Sequence, residues 1–243
     1  MDTARIAALL EPFLEPSLPE SQLDQISIYI DLLLRWNARI NLTAIRHPEE
    51  IVTRHFGESF FLARHLFPKP CHPERSEGPA FCLASRPGGV SGSTAHCPLP
   101  TAHGTPRVLD IGSGAGFPAL PLKLWAPHIH LTLVESNHKK AAFLREVARA
   151  LTLTNINVIT DRAEVLAALP GFPRPDIVTL RAVERFDTIL PQAVTFLAPS
   201  ATLALLIGAA QIPHLTTLTT LKWHSPIPVP QSHTRVLSIG VRE

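Results

Sequence analysis

Three glycines at alternate positions, Gly112, Gly114 and Gly116, with Asp110 ahead of them and Phe117-Pro118 behind, are the residues whose types and spacing most directly suggest chemistry. Glycines spaced this way turn the chain tightly and bring backbone N–H groups against a ligand with no Cβ in between. The dinucleotide fingerprint G-x-G-x-x-G fails, because the sixth position counted from Gly112 is Phe117. The P-loop fails as well, since no Lys-Ser or Lys-Thr pair follows the turn. An acid, three glycines and then an apolar residue suit a ligand with an adenosine and a charged amino-acid tail but no phosphate, which is S-adenosylmethionine. Its ribose hydroxyls require a second acid about twenty residues on, at the end of the next strand. Glu135, closing the run His130 to Val134, stands there.

The surrounding pattern provides elements that can hold these groups. Val108 to Ile111 reads as a buried parallel strand feeding the glycine turn, and Pro118 as the start of a helix pointing at the same place. From Arg107 onward strands and helices alternate. Strands are expected at 130–134, 158–160, 177–180 and 202–207, with helices near 138–150, 163–168 and 189–196. Such alternation predicts an α/β fold, a mostly parallel sheet with helices on both faces. Leu221 to Trp223 and Arg235 to Val241 read as a closing antiparallel pair, the first an edge strand because Pro226, Pro228 and Pro230 follow it.

Residues 1–67 read as a helical extension. Ser21 is the expected N-cap of a helix whose apolar face is Leu23, Ile26, Ile30, Leu33 and Leu34, and a second helix begins near Pro48 with the stripe Val52, Phe56, Phe60 and Ala63. Between them Asn37, Asn41 and Thr43 either build a turn or meet a ligand. Residues 68–106, rich in Pro, Gly and Ser, have no helical or strand period and read as a disordered insert, leaving 107–243 as the ligand-binding domain.

With 243 residues, 45% of them hydrophobic, the chain has material for a sizeable core. A net charge of +2 leaves nucleic-acid contact to local basic patches; Arg35, Arg39, Arg46, Lys123, Lys139 and Lys140 are the candidates. The N-terminus lacks a basic n-region with an apolar core behind it, and no apolar run reaches membrane-spanning length, so a cytoplasmic protein with no membrane contact is expected. Cys71, Cys82 and Cys97 all lie in the insert at spacings unlike a zinc site, so no metal is expected.

The combination of Trp36-Asn-x-x-Ile-Asn-Leu-Thr-Ala-Ile, Arg54-His55, the stretch Leu109 to Pro118, Arg162-Ala-Glu164 and Leu180-Arg-Ala182 resembles the bacterial ribosomal small-subunit methyltransferase G family, also called glucose-inhibited division protein B. The resemblance spans roughly residues 5–67 and 106–240. It implies a Rossmann-like class I fold and methyl transfer from S-adenosylmethionine to N7 of one guanine in 16S ribosomal RNA. The RNA or the small ribosomal subunit would be the partner, and the protein a monomer. It also implies cofactor contacts at Gly112, Phe117, Ala163, Glu164 and Arg181, to which the residue pattern adds Glu135. No catalytic base is expected, because guanine N7 carries no proton to remove. The chain departs from the family at Ala119, Ser200-Ala201, Ile207 (a lysine in the family), the uncharged stretch Ala209 to Thr220, and Glu58. Ile207 and the reduced helix leave a second reading open, a ribosome-associated RNA-binding protein that has lost catalysis.

Overall fold

A computed structural model describes residues 1–68, 104–181 and 186–243. The insert, with its cysteines, falls almost wholly outside these residues, as does Glu184, the acid nearest in sequence to Arg181. In the N-terminal part, α1 (Thr3–Leu10) and α2 (Glu20–Asn37) precede a long helical stretch. That stretch begins as α3 (Pro48–Glu50), widens into a π-helical segment (Ile51–Gly57) and resumes as α4 (Glu58–Leu66). Then follow β1 (Arg107–Ile111), α5 (Ala119–Trp125), β2 (His130–Val134), α6 (His138–Ala150), β3 (Ile156–Ile159), α7 (Ala163–Ala167), β4 (Ile177–Arg181), α8 (Phe186–Phe196) and β5 (Thr202–Gly208). A short α9 (Ile212–Leu215) leads to β6 (Leu221–Trp223), β7 (Ile227–Pro228) and β8 (Arg235–Arg242).

The eight strands form one sheet in the order β3-β2-β1-β4-β5-β8-β6, with β7 pairing on β8. β1 to β5 run parallel. β8 runs antiparallel between β5 and β6, so the expected closing pair exists and β6 is its edge. This is the Rossmann-like α/β arrangement the alternation predicts. Successive residues of the apolar strands face opposite sides. Val108, Leu131, Leu133, Leu206 and Leu237 share a core with the N-terminal helices, α5 and α6. Leu109, Ile111, Leu180, Leu205 and Ile207 share another with Phe186, Leu190 and Phe196 of α8. The N-terminal helices thus cover one sheet face and bring α2 and the π segment beside the carboxyl ends of β1 and β4.

Several local expectations change. Ser21 does not cap α2: Pro19 occupies the N-cap position with no side-chain cap bond, and Ser21 lies exposed in the first turn. Proline in the extended conformation can start a helix without a cap, and the docked apolar face holds it in place. Ser200, where the resemblance leads one to expect glycine, sits at φ +66°, so an L-residue does occupy the left-handed region there at a cost of about 1 kcal/mol. Among the described residues no helix is long and apolar enough to cross a membrane.

Candidate functional site

The glycine turn hangs from the strand beside it. Gly112 and Ser113 donate their N–H groups to Val134 O at 2.9 and 3.1 Å, and Gly112, Gly114 and Gly116 have φ of +71°, +53° and +88°. Glu135, buried just past β2, accepts from Gly114 N through Oε2 (2.9 Å) and from Asn137 N through Oε1 (2.8 Å). Asp110 is buried beneath the turn and accepts the Thr179 hydroxyl at 2.6 Å. From the N-terminal helices, the Tyr29 hydroxyl donates to Ala115 O at 2.5 Å, and its ring stacks on Phe117 with centroids 5.3 Å apart.

A second wall comes from residues 37–58. The Asn37 carboxamide accepts the N–H groups of Leu42 and Thr43 and donates to Thr43 O, so Asn37 builds the turn. Thr43 builds the turn too, accepting from Ile45 N, and its Oγ1 lies 2.8 Å from His55 Nε2. His55 stacks on the other side of the Phe117 ring at 4.7 Å. Arg181 Nη1 lies 3.0 Å from His55 Nδ1. Arginine only donates, so Nδ1 accepts and the ring proton sits on Nε2, facing Thr43. Behind these, Glu58, with a side chain 2% exposed, takes Arg181 Nη2 at 2.9 Å. His55 lies on the π-helical segment, a distortion frequent at functional sites.

Gly112, Phe117, Glu135, Ala163, Glu164 and Arg181, the residues expected from the sequence, all line one cavity of about 740 Å³, joined there by Thr43, His55, Lys140 and Gln192. It opens over the carboxyl ends of the parallel strands, where an α/β sheet holds its ligands. Glu164 accepts a bond from Gln192 at 3.2 Å, and in the first turn of α7 Val165 N donates to Arg162 O at 3.2 Å. Of the basic residues expected at the surface, Arg35, Arg39, Arg46 and Lys139 are exposed and Lys140 is half-buried on the cavity wall. Lys123 is a correction. It is 2% exposed and donates to Pro127 O and Ile129 O, closing the loop after α5, which a count of charges along the chain cannot foresee. Sequence reasoning named Glu58 only as a departure from the family and left out Arg235. An Arg54/Glu58 spacing of four on one helix signals the first; nothing near Arg235 marks the second.

Two buried groups titrate out of their usual ranges in opposite senses. Burial, with the charges of Arg181, Arg54 and Arg235, depresses His55 to about 2. Burial raises Asp110 to about 7 against its hydrogen bonds from Thr179 and Ser113. His55 therefore contributes stability that is full above about pH 6.5 and is lost as pH falls toward 2. For Asp110 the protonated form is favoured by folding, so its contribution is full below about 3.8 and is lost as pH rises through 7. Between about pH 4 and 6.5 the two slopes oppose each other. The slope follows from one proton taken up or released, so each is about 1.4 kcal/mol per pH unit whatever the size of the shift. In thermal melts across this window, Asp110→Asn should make stability fall more steeply on acidification than in the parent protein, and His55→Gln should make it rise relative to the parent. Parallel curves for parent and variants would show that neither group is held as described.

The model of the family described as rRNA small subunit methyltransferase G matches residues 22–69 and 96–224. Among curated relatives, the Ribosomal RNA small subunit methyltransferase G of Roseiflexus castenholzii is 37% identical over 71% of this chain and 59% of its own length. That of Bacillus subtilis is 32% identical over 71% of this chain and 59% of its own. The chain thus spans about three-fifths of the length of these relatives. Among solved structures, a SAM-dependent methyltransferase from Aquifex aeolicus superposes on 57% of this chain and 82% of its own with a TM-score of 0.46 and 15% identity.

Proposed function

The chain belongs to the rRNA small subunit methyltransferase G family, and on that premise we propose that it transfers a methyl group from S-adenosylmethionine to N7 of a guanine in 16S ribosomal RNA. The observation that carries this reading is the convergence of the glycine turn, Glu135, Ala163-Glu164 and Arg181 on one cavity. The donor set fits the cofactor. A Cβ built on Gly114 would meet only Gly112 O, at 3.7 Å, so the surface of the turn is open at that point. Each Glu135 oxygen accepts one backbone N–H and keeps lone-pair capacity for ribose hydroxyls. Ala163 and Glu164 at the start of α7 line the cavity where adenine would lie, and Arg181, which also lines it, has a buried Nε without a hydrogen-bond partner. When bound, S-adenosylmethionine supplies an electrophilic methyl group on sulfur.

The protein has little proton chemistry to perform. Guanine N7 presents a lone pair and no hydrogen, so no general base is needed, and a His55 held neutral with both ring nitrogens engaged is consistent with that. The rate then depends on holding N7 in line with the methyl group, which the rigid stack Tyr29–Phe117–His55 and the braced glycine turn allow. A neutral His55 also adds no charge to the pocket as positive charge passes to the guanine ring.

The test is transfer of tritiated methyl from S-adenosylmethionine to small ribosomal subunits, and to naked 16S RNA, from a strain lacking its own family member, followed by nucleoside digestion. Label in 7-methylguanosine is expected. Label in another nucleoside would reassign the target, and cofactor binding without transfer to either substrate would leave a binding protein.

A further inference from the structure

Three guanidinium groups share one buried carboxylate where β4, β8 and the π-helical segment meet. Glu58 Oε2 lies 2.9 Å from Arg181 Nη2 and 3.1 Å from Arg235 Nε, while Oε1 lies 3.4 Å from Arg54 Nε. Glu50 reaches Arg54 Nη1 only at 3.8 Å, from the exposed side. Among the described residues the cluster therefore holds more positive charge than it neutralises. Arg181 Nε is buried without a hydrogen bond, and Arg235 Nε and Glu58 Oε1 have only the ion-pair contacts just named. An incoming anion would balance part of the excess positive charge through charge-assisted bonds to the partly exposed side chains of Arg54 and Arg235.

The three side chains form a ramp from the cavity to solvent, 7% exposed at Arg181, 20% at Arg235 and 45% at Arg54. Arg181 lines the large cavity, and with Arg235, Gly208 and Gln211 it also lines a neighbouring one of about 80 Å³. Ile207, where the family resemblance leads one to expect lysine, is packed in the apolar core. Its neighbour Gly208 pairs in register with Arg235, so the positive charge at this end of the sheet arrives from β8 and not from β5. Glu135 and α7 occupy the opposite side of the large cavity, which leaves the arginine ramp as the approach for a second, anionic molecule.

We infer that Arg54 and Arg235, gathered with Arg181 on Glu58, form an anion subsite for an RNA backbone phosphate beside the target base. The inference rests on the RNA-methylating reading above. The guanidinium fork matches a phosphate in two hydrogen bonds, and a strand gripped at the rim can turn one base inward.

Arg54→Gln is the primary test because its exposed side chain carries little of the fold; Arg235→Gln is the second. Binding of naked 16S RNA is measured between 50 and 200 mM salt, and S-adenosylmethionine binding by calorimetry. Each variant should weaken RNA binding roughly tenfold and flatten the plot of log affinity against log salt by about 0.7 per lost phosphate contact, while cofactor affinity stays within twofold. Unchanged RNA affinity and slope in both variants would overturn the subsite, and so would an equal loss of cofactor affinity, which would assign the arginines to the cofactor instead. The parent protein separates the two levels: if it puts no methyl into RNA the reaction is misread, whereas methylation with indifferent variants removes only the subsite.

Discussion

Alanine in place of Gly116 should cost about 3 kcal/mol of stability and abolish measurable S-adenosylmethionine binding. The backbone there has φ +88°, and a Cβ would overlap the Tyr29 hydroxyl and come within 2.6 Å of Leu120 Cδ1. Left-handed strain in a non-glycine residue and overpacking of a buried site each cost about 1–3 kcal/mol. Relief by local shift is poor, because the Tyr29 hydroxyl is fixed on Ala115 O and its ring on Phe117, both parts of the same turn. Thermal melts and calorimetry read the two effects. Adding Tyr29→Phe to the Gly116 variant should recover part of the lost stability, since neighbours in contact are not additive. A Gly116→Ala protein that melts and binds like the parent would mean the turn is looser than its hydrogen bonds indicate.

Glu135→Ala should lower S-adenosylmethionine affinity at least a hundredfold. A carboxylate that holds two ribose hydroxyls contributes about 1.5–3 kcal/mol for each charge-assisted bond, and about 1.4 kcal/mol is a factor of ten. The same carboxylate braces Gly114 N and Asn137 N, so its loss also frees the turn. Glutamine is no conservative replacement: both oxygens accept backbone N–H groups, and an amide would aim its own NH₂ at one of them. We therefore expect Glu135→Gln to fall close to Glu135→Ala in binding while melting nearer the parent. An affinity within fivefold of the parent in Glu135→Ala would remove the ribose from this position and leave Glu135 only as a brace.

The parts of the site that sequence reading reached are those made by short stretches. Gly112 to Gly116 could be read because alternate glycines after an apolar run have few uses other than a tight turn at a ligand. Glu135 could be read because the strand and helix between it and the turn have nearly fixed lengths. Helix and strand periods placed β1, β2, α6 and β5 close to their observed limits. The misses share a different physics. Ser21 has the right side chain for a cap, but docking of α2 decides where that helix starts. Lys123 has the composition of a surface residue and is buried because two carbonyls of the following loop converge on its ammonium.

What the sequence by itself determined is the strand, glycine turn and helix that make one side of the cavity, together with the alternation that builds a parallel sheet behind it. Those features follow from backbone angles and residue periods within some thirty positions, where chain geometry leaves few alternatives. Arg181 was expected at the cavity from the sequence, but its partners on the opposite wall were decided by tertiary structure. Arg181 meets His55 across 126 residues of chain and Glu58 across 123, and no spacing rule acts over such separations. Only the packing of the N-terminal helices on one sheet face brings the π-helical segment to the end of β4. That packing turns one glutamate and three scattered arginines into a single charged cluster, because a carboxylate buried there needs cations and the fold has them within reach.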